Sequence, residues 1–246
     1  MYYRLLSRNG STDVDAVYYN PAGLAFMSDG WHFSLSNQTI DQEKTVTNAF
    51  PLLNQAAYIG EVKVPVFPNV YAAFKSGKLV FALGFGPNAG GGTADFKTGL
   101  PSFEVPLSQL PMLISGFGLP TTAYSADIAF KGKSIFLGIQ ANVTYALSDT
   151  FALSGGLRYI MADNTYEGYV KDVMVNPYHP LLNPQAGMMS AGAFFTAIGQ
   201  PGYAAMVADV AVDAKQTGTA IVPIFGLCFQ PNENWTIGAR LSLIHI

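Results

Sequence analysis

The sequence holds a single cysteine, Cys228, which excludes an intrachain disulfide and any zinc site built on cysteine pairs. Charge is scarce as well. Only 12% of the 246 residues are charged, the formal net charge is −3, and the 13 Lys and Arg residues are scattered rather than gathered into a stripe that could track phosphates. Nucleic acid is therefore not an expected partner. Missing too is any uninterrupted apolar run of the ~18 residues that a membrane-spanning helix requires. The nearest approach, Ser190 to Val212, is interrupted by Gly199, Gln200, Pro201, Gly202 and Asp209. The chain has no Gly-x-Ser-x-Gly elbow and no His-Glu-x-x-His helix, and His32, His179 and His245 stand apart from one another. No catalytic, metal or cofactor site is expected. Gly84-x-Gly86-x-x-Ala89 mimics a dinucleotide fingerprint, but no helix follows to offer its N-terminus to a phosphate. The opening residues Met1-Tyr2-Tyr3-Arg4-Leu5-Leu6 lack the apolar stretch and cleavage site of a secretory signal, and Arg240 to Ile246 stop within a strand-like pattern; both ends read as cut.

What the chain does have is hydrophobicity: half of its residues are apolar and mean hydropathy is positive. This excludes disorder. The apolar residues fall with period two. Ile135, Leu137, Ile139, Ala141, Val143, Tyr145 and Leu147 alternate with Ser134, Phe136, Gly138, Gln140, Asn142, Thr144 and Ala146. After the polar turn Ser148-Asp149-Thr150 a second alternating run carries Phe151, Leu153, Leu157, Tyr159 and Met161 on one face. That is a β-hairpin. The design recurs around the turns Lys75-Ser76-Gly77-Lys78 and Gln230-Pro231-Asn232-Glu233-Asn234, and a first strand runs from Trp31 to about Val46. About seven strands result, in three hairpins plus one. Long connections, roughly 97–120 and 176–218, alternate with the short turns, and residues 203–215 read as a helix. Tyr71, Tyr145, Phe151, Tyr159, Phe229 and Trp235 sit near strand ends, as interfacial girdles of a membrane barrel would require.

Upstream of the first strand lies Asp15-Ala16-Val17-Tyr18-Tyr19-Asn20-Pro21-Ala22-Gly23-Leu24-Ala25. Its Asn-Pro-Ala core resembles the hallmark of the FadL family, channels for long-chain fatty acids and other hydrophobic compounds, where it lies in the hatch that plugs the barrel. The order of parts is similar too: hatch, a strand from Trp31, Pro68-Asn69 opening the second strand, a Gly-rich third strand, two long strands and a helical loop. The resemblance implies an all-β fold, an antiparallel transmembrane β-barrel of fourteen strands in the bacterial outer membrane. This chain would supply a hatch over 1–30 and about seven strands over 31–246, with a partly helical extracellular loop. It implies a monomer in contact with outer-membrane lipid, a hydrophobic small molecule as partner, passive uptake and no cofactor.

Three sets of residues then become candidates beside the hatch residues Asn20, Pro21 and Ala22. Proline has no amide donor and successive glycines weaken a ladder, so pairing should fail at Pro87, Asn88, Gly90, Gly91 and Gly92. The resemblance makes such a kink a lateral exit; otherwise it is a loop beyond the strand end. Arg158 and Arg240 fall on polar strand faces and should point inward, because a cation facing midplane lipid costs about 2–4 kcal/mol. There they pair with hatch or wall carboxylates, or neutralise a fatty-acid carboxylate. Met188, Met189, Phe194 and Phe195 either capture ligand or pack the loop. A general porin or structural outer-membrane protein, and a soluble β-sandwich or adhesin, remain as rivals.

Overall fold

The computed structural model describes residues 8–243. Residues 1–6, read as lacking the features of a secretory signal, and His245 fall outside them. The fold is mostly antiparallel β-sheet. Strands β1 (Gly30–Asn37), β4 (Pro68–Ser76), β5 (Leu79–Phe96), β6 (Tyr124–Ala146), β7 (Phe151–Val175), β9 (Val210–Asn232) and β10 (Trp235–Ser242) are hydrogen-bonded in that order. Off this path, β2 (Ile40–Thr47) pairs with β3 (Ala57–Val64), β3 joins the far end of β5, and β8 (Met189–Ser190) pairs with β7. Among the described residues no helix is long and apolar enough to cross a membrane.

The expected first strand is two strands, because β1 and β2 are separated at Gln38 and Thr39. Opposite this break stands Pro65, which cannot donate to a ladder. Side chains replace the missing bonds: Asn37 Oδ1 accepts from Phe67 N at 2.8 Å and Thr39 Oγ1 donates to Pro65 O at 3.1 Å. Counted as paths, β1–β2, β3–β4 and the five remaining long strands make seven. The helix expected over 203–215 is confined to Pro201–Met206, and β9 begins at Val210. Val210 and Ala211 face Val170 and Tyr169 of β7, and this long register overrides the helical leaning of an Ala-rich run. The connection 97–120 contains two helices that were not anticipated, α2 (Pro101–Ser108) and α3 (Leu110–Gly116). Prolines 101 and 111 stand in their first turns, where a missing amide is harmless.

The two faces of the sheet differ in kind. One carries Trp31, Phe33, Leu35, Phe81, Leu83, Leu157, Ile221, Phe225 and Leu241, all exposed, with Phe33 at 72% and Leu35 at 80%. Register sets these in continuous rows: Phe74 opposes Phe81, then Val143, Gly155, Phe225 and Leu241 across successive strands. Such cross-strand neighbours present one unbroken apolar surface. Farther along the same face charge returns, and Lys63, Thr93, Lys133, Thr165 and Lys215 form one row there. The opposite face holds Asn69, Gln140, Asn142, Thr144, Ser154 and Arg158, all buried beneath the N-terminal segment. Tyr71 belongs to this inner face, not to an outer girdle: it packs with Ala16, Val17 and Leu24, because its neighbours Val70 and Ala72 take the other side of the pleat.

Candidate functional site

The site begins with a short segment folded against the polar wall. Residues Ala16–Tyr19 form one helical turn, α1, and Pro21–Phe26 a 3-10 helix that Asn20 caps. Pro21 fixes φ at the first position of that helix, and Asn20 is correspondingly extended (φ −156°). Ala16, Val17, Asn20, Ala22 and Leu24 are completely buried. On one side the segment packs its apolar residues on Tyr71, Ala73, Val80 and Ala82 of β4 and β5.

On the other side hydrogen bonds hold it. Asn20 Nδ2 donates to Leu227 O of β9 at 2.9 Å and to Asn9 O at 2.8 Å, while its Oδ1 accepts from Ala22 N at 3.3 Å. Thr144 Oγ1 donates to Pro21 O at 2.7 Å, and Gln140 Nε2 donates to Val17 O at 2.6 Å. Asn20, Pro21 and Ala22 are thus brought together, with Ala22 supplying an amide and a buried methyl. Two wall glycines make the approach feasible. A Cβ at Gly226 would collide with Asn20 Oδ1, and one at Gly238 with Asn9 O. Neither was singled out in the sequence, where a glycine within an alternating strand signals only some close approach.

The second element is a break in the wall. Pairing of β5 with β4 ends at Val70–Phe85, and its pairing with β3 begins only at Lys63–Thr93. Between them Gly86–Gly92 are bonded only to β6, with register shifts between Pro87 and Ala89 and between Gly90 and Gly92. These are β-bulges whose extra residues are Asn88 and Gly91. Gly90 and Gly92 have φ of +92° and +81°, which only glycine adopts without strain. The breakers therefore lie inside one continuous strand, not in a loop beyond its end. A cavity of about 470 Å³ opens at the break, lined by Pro87 to Gly91, by Gln38, Gln42 and Asn69, and by Tyr18 and Tyr19 of the N-terminal segment.

The third element links the first two. Arg158, 4% exposed, points inward as its position in the alternation requires. Its Nε donates to Gln140 Oε1 at 2.7 Å, Nη1 to Asn88 Oδ1 at 2.6 Å and Nη2 to Tyr18 O at 3.1 Å. The guanidinium lies 4.4 Å from the Tyr18 ring centroid. Arg240 Nη1 donates to the same Tyr18 carbonyl at 2.8 Å. Among the described residues no carboxylate lies within ion-pair distance of either arginine. The partners expected to be acids are carbonyls and carboxamides instead, leaving two adjacent cations without a counter-charge. Beside Arg158 on the same inner face, with Val222 directly opposite it, Ile160, Val222 and Ile224 form a buried apolar patch with Phe136.

Of the candidate capture residues, Phe194 and Phe195 are fully buried. They pack with Ile114, Tyr124, Val175 and Ala191 where α4 (Ala191–Ala197) meets α2, α3 and the ends of β6 and β7, and Met189 packs against the same cluster. They present no face to an incoming ligand, because four short helices have no other core to fold around. Met188 is 44% exposed. This helical cap is fastened by a buried acid. Glu104 of α2 accepts from Tyr58 Oη, from Tyr124 Oη at 2.8 Å and from Asn54 N at 3.0 Å. Burial first, then these bonds, pushes both phenols above their ordinary range. Comparison of the chain with protein-family models, with curated proteins and with solved structures yields no match.

Proposed function

We infer that the chain is the N-terminal part of a FadL-like transmembrane β-barrel, a passive outer-membrane channel for long-chain fatty acids or similar hydrophobic molecules. The observation that carries this reading is the inverted polarity of one continuous sheet. Its bare face is apolar, while its covered face buries Gln140, Asn142, Thr144, Ser154 and Arg158 among its apolar residues. In water the arrangement is unfavourable by about 25 cal/mol for every Å² of apolar surface left hydrated. Against acyl tails it is what a barrel wall needs. On β7 the outward apolar residues run from Phe151 to Met161, matching the ~9–11 residues with which a tilted strand crosses a bilayer, and charge follows at Asp163. A sandwich would press a second sheet on that face; among the described residues nothing covers it. Among the described residues β1 pairs only with β4 and β10 only with β9; on this reading their outer edges are paired as well, since bare amides find no partner in lipid.

Cargo enters from the helical cap and passes down the inner face of the sheet toward the plug. The carboxylate turns to Arg158 and Arg240, which have no counter-charge among the described residues. Movement of the plug then leads it out sideways at Pro87–Gly92. No cofactor or nucleotide takes part, and the channel works as a monomer in contact with outer-membrane lipid.

The test uses protein reconstituted in liposomes, with lipids co-purified with it identified by mass spectrometry. Uptake of a fluorescent long-chain fatty acid without swelling in sugars is expected. Swelling without fatty-acid uptake would make it a general porin, and release from membranes without detergent would make it a soluble protein. Arg158→Ala should weaken fatty-acid binding about tenfold, the worth of one charge-assisted bond; unchanged affinity removes the arginine from the ligand site.

A further inference from the structure

We propose that Asn88 is a positioning residue that makes withdrawal of the plug and opening of the wall a single event. The proposal rests on the channel reading above and adds to it a physical link between two parts far apart in sequence. Asn88 is the extra residue of the first bulge: register passes from Pro87–Leu137 directly to Ala89–Phe136, so no residue of β6 stands opposite it. A bulge residue is held less by the ladder than by its own side chain. Here that side chain is engaged twice from within. Its Oδ1 accepts from Arg158 Nη1 at 2.6 Å and from Tyr18 Oη at 3.3 Å, and Tyr18 Oη also lies 3.4 Å from the Asn88 carbonyl.

Tyr18 commits its hydroxyl, its carbonyl and its ring to the same knot. Its hydroxyl meets Asn88, its carbonyl takes both arginines, and its ring lies beneath the Arg158 guanidinium. When Tyr18 leaves, Arg158 keeps only Gln140 and Asn88, and a buried guanidinium short of acceptors pulls its remaining partners toward itself. Conversely, a bulge that swings outward takes the acceptor from Arg158 and from Tyr18 together. The cavity at the break is walled by Tyr18 on one side and by Pro87 to Gly91 on the other, so loss of this knot joins the plug side of the molecule to the gap. One asparagine therefore serves as the common acceptor for the wall and the plug.

Amide hydrogen exchange of the protein in detergent micelles tests the link without any cargo. Two segments are followed together, residues 16–20 and residues 85–93. Asn88→Leu keeps the side-chain volume and removes the acceptor, and it should raise exchange about ten- to a hundredfold in both segments, the range expected for a hydrogen bond to a charged group. Asn88→Asp places a charge against Arg158 and should slow exchange in both. Asn20→Ala, which loosens the plug from its opposite end, should raise exchange at 85–93 as well as at 16–20. Changes confined to 85–93 in the Asn88 variants, or to 16–20 in Asn20→Ala, overturn the proposal. Because exchange is read without transport, its result stands apart from fatty-acid uptake into liposomes: coupled exchange with no uptake refutes the channel, and uptake with uncoupled exchange refutes the link.

Discussion

Replacing Asn20 by alanine should release the plug while leaving the sheet intact. The side chain is completely buried and makes three hydrogen bonds, to Leu227 O, Asn9 O and Ala22 N. Each is worth about 0.5–1.5 kcal/mol net, and a buried group left without its partner loses more. Roughly 2–4 kcal/mol is therefore removed from a segment of modest size, a change of about thirty- to a thousandfold in its open population. Outside the bulged stretch 85–93 the sheet should not notice, because its ladders run through β4 to β10 without Asn20. The assay is ionic conductance of single molecules in a planar bilayer beside protease cleavage within residues 8–26. Wild type should stay closed and resistant, and Asn20→Ala should flicker open and be cut. Gly226→Ala should act in the same direction by driving its new methyl against Asn20 Oδ1. If Asn20→Ala is as closed and as resistant as wild type, the hydrogen bonds described here do not hold the plug.

Leu157→Arg, at mid-height of the apolar face, should lower folding stability in bilayers by about 2–4 kcal/mol, while Thr217→Arg, beyond the apolar rows, should change it little; equal effects in a urea titration would disprove lipid contact. Gly91 has open space where a Cβ would stand and no positive φ, so Gly91→Val should fold normally yet slow fatty-acid entry by narrowing the break; unchanged entry would remove the break from the path. The phenols of Tyr58 and Tyr124 hold their protons more tightly when folded than the ordinary value near 10. Their contribution is complete below about pH 10 and is lost as pH rises beyond it. The connection 97–123 should accordingly become protease-sensitive in that range, and a Tyr58→Phe, Tyr124→Phe double variant should lose the dependence.

Alternation revealed the hairpins because each buried polar residue of β6 and β7, from Gln140 to Thr144 and from Ser154 to Arg158, is flanked by exposed apolar ones. Where both faces are wet the signal vanishes. Residues 210–220 of β9 are exposed or nearly so on every side, and their Ala-rich composition then looked helical. Strand β3 was hidden for a different reason: its buried set, Tyr58, Gly60, Val62 and Val64, includes a glycine that leaves room for Phe96. At the site, Asn20 and the Pro87–Gly92 breakers were legible, because proline and glycine act locally. The contacts of Arg158 were not. Tyr18, Asn88, Gln140 and Arg158 lie up to 140 positions apart, and only the register of the folded sheet makes them neighbours.

The two bulges of β5 also constrain how this strand can change over time. Each inserts one residue, so Phe81 and Thr93 lie on the same side of the sheet although the ladder slips twice between them. Losing one residue from this stretch would turn Thr93 and Asp95 inward and Phe96 out of its slot beside Gly60. Losing two would restore the alternation and close the opening at once. Lineages descending from such a strand should therefore differ here by residues gained or dropped in pairs.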